Sequence, residues 1–133
     1  MKVVAAALVL VACAGLSART AADRPHPVRP LPGYKCMMLN LTEQQFLNPL
    51  VHVPVRSEPA ASAPEVGWAA TNVAVRDPPH IVNGFAEALF PNGATVWIES
   101  RMLRPYHSLG DPTAKCVPSV MSDGTPGFFA YPH

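Results

Sequence analysis

Residues capable of chemistry are few in this chain, and their spacing limits what they could do. Of three cysteines, Cys13 falls in an apolar N-terminal run, which leaves Cys36 and Cys116 as an even pair. In an exported chain that pair is expected to form a disulfide, with two free buried thiols as the alternative. The bridge would remove Cys36 as a nucleophile. His26, His52, His80, His107 and His133 are scattered, without a Cys-x-x-Cys or His-x-x-x-His spacing that would bring two ligands to one metal. Ser57, Ser62, Ser100, Ser108, Ser119 and Ser122 sit in turn contexts and lack the Gly-x-Ser-x-Gly elbow of a hydrolase nucleophile. Glu58 and Glu65 flank a proline loop, where carboxylates are ordinarily solvated. No glycine-rich phosphate loop follows a strand pattern. With no nucleophile beside a base and no metal-binding spacing, the expectation is a non-enzymatic protein with no cofactor and no metal.

The aromatic residues are the better functional lead. Trp68, Phe85, Phe90, Trp97, Tyr106, Phe128, Phe129 and Tyr131 are more rings than a small β core needs inside. Phe128-Phe129-Ala130-Tyr131, if extended, places adjacent rings on opposite faces, so one side must be exposed or covered by another element. Trp68, Tyr106, Phe128 and Tyr131 are therefore the candidate surface for stacking a peptide or glycan, against the alternative of core plus a covered edge.

The elements that must position these rings are limited by size and composition. At 133 residues the chain allows one domain, and its formal net charge of +1 carries no footprint for nucleic acid. Sixteen prolines rule out a helical bundle, because each deletes a backbone donor and fixes φ. A hydrophobic fraction of 49% means that the proline-rich parts punctuate a packed core. Met1-Lys2 followed by the apolar run Val3 to Ala12 has the length of a signal-peptide apolar region and is too short to span a membrane. Thr20-Ala21-Ala22 before Asp23 offers a cleavage site, so residues 1–22 read as a signal peptide, with Leu16-Ser17-Ala18 a poorer choice. Leu10-Val11-Ala12-Cys13 also resembles the lipobox of bacterial lipoproteins, in which Cys13 would be acylated. Either way the chain is expected to leave the cytoplasm, as a periplasmic or secreted protein or as one lipid-anchored in the envelope.

Residues 23–33 hold proline at every second or third place and read as an extended linker, a poorly ordered tail. Thr42 with Gln45 three residues later fits a capping box, and Pro49 stops the helix after one or two turns. Alternation of Val51, Val53 and Val55 predicts a strand over His52 to Arg56, with a proline loop from Ser57 to Pro64 after it. Further strands are expected at Gly67 to Val75, Phe85 to Phe90 and Thr95 to Glu99, broken by Asp77-Pro78-Pro79-His80, Asn83-Gly84 and Pro91-Asn92-Gly93. Ser100 to Pro105 reads as a single 3₁₀ turn. Lys115 to His133 suggests a C-terminal hairpin around Ser122-Asp123-Gly124, with Pro118 and Pro126 confining its strands to an edge.

Val55-Arg56-Ser57-Glu58-Pro59 with its proline loop, Asn83-Gly84-Phe85, and Asn92-Gly93-Ala94-Thr95-Val96-Trp97-Ile98 with Leu103 together resemble the bacterial SH3 domain. The resemblance covers roughly residues 51 to 106. It departs at Val96, where the family usually has glycine, and at Asp77-Pro78-Pro79, where a simple connection is expected. It implies a mainly β fold with a small SH3-like β-barrel at about 51–106, within a unit spanning residues 34–133. That unit also carries a short N-terminal helix turn, a C-terminal β-hairpin and one disulfide. It further implies a binding module whose partner is cell-wall peptide, peptidoglycan, or an envelope protein. The alternative is a small secreted inhibitor or effector that docks a braced loop, Ser57 to Pro64 or Asp77 to Asn83, into an enzyme. The catalytic domains that such modules accompany elsewhere are absent from this sequence.

Overall fold

Proline, glycine and asparagine set the element boundaries. The computed structural model describes Gly15, residues 24–108 and residues 110–131; Cys13 and both candidate cleavage positions lie outside them. Among the described residues the chain forms β1 (Pro27–Pro30), β2 (Tyr34–Leu39), α1 (Glu43–Leu47), β3 (Pro54–Arg56), β4 (Glu65–Trp68), β5 (Asn72–Arg76) and β6 (Ile81–Val82). It continues through β7 (Phe85–Leu89), β8 (Thr95–Glu99), a 3₁₀ turn at Ser100–Met102, β9 (Leu103–Pro105), β10 (Lys115–Met121) and β11 (Pro126–Tyr131). The fold is mainly β. No described helix is long and apolar enough to cross a membrane.

Local chemistry accounts for the elements that match expectation. The Thr42 hydroxyl accepts from the Gln45 backbone N–H at 3.2 Å, and the Gln45 side chain accepts from the Thr42 N–H at 2.8 Å. This capping box starts α1, and the run ends at Asn48 before Pro49. Asn83 and Gly84 take φ of 51° and 78°, the pair of positive values that a two-residue turn between β6 and β7 requires. β8 falls where the sequence places it, whereas the 3₁₀ turn expected over Ser100 to Pro105 is confined to Ser100–Met102, because Leu103–Pro105 pair with β2 as β9.

Among the described residues all strand pairs are antiparallel, in two sheets. The larger has the order β4-β3-β8-β7-β5-β2-β9, with β6 paired to β7; the smaller has the order β1-β10-β11. The expected strand over Gly67 to Val75 is two strands with different partners. β4 pairs with β3 at one end of the sheet, whereas β5 pairs with β2 and β7. The chain must cross between them at residues 69–71, so no continuous ladder can run through Ala69-Ala70-Thr71. The strand expected at His52 starts at Pro54, yet its alternation holds: Val53 and Val55 are buried and His52 is exposed.

Two expectations are corrected outright. The proline-rich segment forms β1, with Pro27, Arg29 and Pro30 in register with Met121, Val120 and Ser119 of β10. β10 is consequently the central strand of its sheet despite Pro118. Leu31 donates its N–H to the Pro118 carbonyl at 2.8 Å, and the proline is spared the reciprocal donation where β1 has already ended. β11, which carries Pro126, is an edge strand as expected.

The core of the larger sheet is built from alternating small and branched residues. Val53, Val55, Val75 and Ile98 are essentially inaccessible, and Leu39, Leu41, Val73, Ala86, Ala88 and Val96 complete the cluster. β2, which precedes the stretch 51–106, lies between β5 and β9 and so belongs to this sheet. The disulfide Cys36–Cys116 joins β2 to β10, with Cα atoms 5.8 Å apart, and ties one sheet to the other.

Candidate functional site: an apolar cleft between the two sheets

Trp68, at the end of β4, is 59% exposed, an unusual position for a tryptophan unless its neighbours hold it. Its indole N–H donates to Glu65 Oε1 at 2.9 Å. The His52 ring stacks on it with centroids 4.2 Å apart and planes 19° off parallel, and His52 Nε2 lies 3.8 Å from the same carboxylate oxygen. In a regular strand, residues three apart point to opposite faces. Here the β3–β4 register shifts, Val55 facing Gly67 and Arg56 facing Glu65, so Val66 is an extra residue that resets the alternation. The bulge is what lets Glu65 reach Trp68.

The ring borders an open cleft of about 360 Å³. Val55, Val73, Val96 and Ile98 line it from the larger sheet, and Pro126, Gly127 and Phe128 of β11 line it from the smaller one. Phe90 and Pro91 close one side, from the turn after β7. Phe90 is seated against Gly67, where an added Cβ would stand 2.7 Å from the ring. Gly67 is thus fixed by close approach rather than by backbone freedom. The volume lies within the usual range for ligand pockets of about 300–1,000 Å³. The described lining holds no charged side chain, and Asn72 is the one carboxamide in it.

Of the four rings singled out in the sequence, the structure brings two together: Trp68 and Phe128 both line this cleft. Tyr106 follows β9, is half-buried and is not among the lining residues. Tyr131 pairs with Lys115 in β11, and its side chain lies outside the described residues. Sequence reasoning missed Phe90, Pro91, Pro126 and Asn72 as cleft residues, and it left Glu65 as a solvated loop carboxylate. Only the short Gly67-Trp68-Ala69-Ala70 stretch, with a large ring among residues too small to cover it, could have flagged the site.

Charged groups gather elsewhere. Arg76 Nε lies 3.0 Å from Glu87 Oε2, with its guanidinium 5.5 Å from the Tyr34 ring centroid. The hydrogen bond with Tyr34 and then the Glu87 carboxylate hold Arg76 above its ordinary range. A smaller hollow of about 290 Å³ is lined by His52, Arg56, Glu99 and Arg101 among others. Its arginines are engaged: Arg56 Nη1 donates to the Ala63 carbonyl at 2.9 Å, and Arg101 Nε pairs with Glu99 at 2.5 Å. Among the described residues no three His, Cys, Asp or Glu side chains are grouped to hold a metal. Comparison with protein-family models, with curated proteins and with solved structures found no match.

Proposed function

We propose that the protein is a non-enzymatic, exported SH3-like binding module that captures a segment of an envelope protein in the apolar cleft. The observation that carries the reading is Trp68, exposed yet held by His52 and Glu65 at the border of a cleft with no charged lining. A fixed aromatic surface loses little conformational entropy when a ligand covers it. Cell-wall stem peptides carry carboxylate and ammonium groups, which this lining offers nothing to neutralise, so a protein segment fits better than peptidoglycan.

Three features support the SH3-like arrangement. β2 pairs with β9, β5-β7-β8 form a meander beside them, and a 3₁₀ turn separates β8 from β9. The barrel so proposed starts at β2 rather than at residue 51, with the β3–β4 hairpin inserted after its first strand. Export is supported by the Cys36–Cys116 disulfide, since such bridges persist in oxidising compartments; acylation of Cys13 remains part of the proposal as the lipid-anchored alternative.

Display of random peptides against the full chain tests the function, run beside a pull-down on purified peptidoglycan. Enriched apolar sequences whose binding falls on Phe128→Ala support the reading. No enrichment, or retention on peptidoglycan above a denatured control with no peptide selected, overturns it. One observation favours the second reading, an inhibitor that docks a loop. Residues 57–64 are held by Ser57 N–H to Pro64, Ala60 to Glu58 and Ala63 to Ala60 hydrogen bonds, and Asn83 Nδ2 donates to the Pro59 carbonyl. Replacing residues 58–62 by glycine and serine leaves cleft binding intact under the first reading and abolishes partner binding under the second.

A further inference from the structure

We draw no further inference here: the strongest candidate, the charged hollow lined by His52, Arg56, Glu99 and Arg101, has both arginines engaged, by the Ala63 carbonyl and the Glu99 carboxylate, and among the described residues no buried unpaired polar side chain lines it.

Discussion

Breaking the Cys36–Cys116 bridge should cost much of this protein's stability, and the loss should begin in one sheet. The cysteines are 80 residues apart in sequence. Loop-closure entropy for a ring of that size corresponds to about 4.5 kcal/mol, and measured bridges usually deliver about 2–4 kcal/mol. For a domain of this size 1 kcal/mol moves the melting midpoint by roughly 4–8 °C, so Cys36→Ala with Cys116→Ala should lower it by roughly 10–25 °C. The smaller sheet is tied to the larger by the bridge, by short chain connections and by the apolar contacts across the cleft. Without the bridge, β1, β10 and β11 should therefore exchange their amides well before β5, β7 and β8. Urea unfolding of the oxidised and the double-alanine chains gives the magnitude, and hydrogen exchange read by mass spectrometry gives the location. If the two unfold within about 1 kcal/mol of each other, or if exchange rises evenly over both sheets, the staple reasoning is wrong.

Gly67→Ala should destabilise by about 1–3 kcal/mol, because its Cβ would meet the Phe90 ring at 2.7 Å and the ring must swing into the cleft. Adding Phe90→Leu should recover part of that loss in urea unfolding, and a Gly67→Ala protein with an unchanged midpoint would mean that the ring moves freely. Thr42→Ala removes the acceptor for the Gln45 N–H and should cost about 1 kcal/mol, read as faster exchange confined to α1; unaltered protection there would dismiss the cap. The hydrogen bonds from Thr125, side chain first and backbone second, hold the Asp123 carboxyl below its usual range. A depressed folded value means that this turn is stabilised above the unfolded pKa of about 3.9 and loses that stabilisation as pH falls through the folded value. Carboxyl ¹³C titration should place the Asp123 midpoint of the folded chain below its midpoint in the urea-unfolded chain, and equal midpoints would contradict the geometry.

What could be read from sequence was whatever neighbours along the chain decide. The capping box of α1, the Asn83-Gly84 turn, β8 and the alternation of Val53 with Val55 each depend on residues within a few positions. The split of β4 from β5 depends instead on β2, thirty-odd positions earlier, coming to lie beside β5. Nothing in Gly67 to Val75 itself announces that partner. The role of β1 was hidden for a different reason. Proline spacing does specify an extended backbone, and an extended backbone suits either a loose tail or an edge strand. Only the register with β10 decides between them, and that register lies some ninety positions away. Trp68 and Phe128 were recognisable as surplus rings. Their meeting across a cleft required both sheets.

Under the proposed binding function, the placement of the cleft also decides how affinity is set. One wall is the valine and isoleucine core of the larger sheet, which long-range packing fixes. The other wall is the start of β11, an edge strand of the three-stranded sheet. A ligand that touches both Trp68 and Phe128 binds only when the second wall is docked, so its apparent affinity scales with the docked fraction. The disulfide keeps that fraction high without adding any contact to the ligand. The prolines of β1, β10 and β11 act in the same direction, by limiting the conformations an undocked sheet could explore. Shape at this site is therefore maintained by covalent constraint on one side and by packing on the other. The covalent side is the one that a change of redox environment can release.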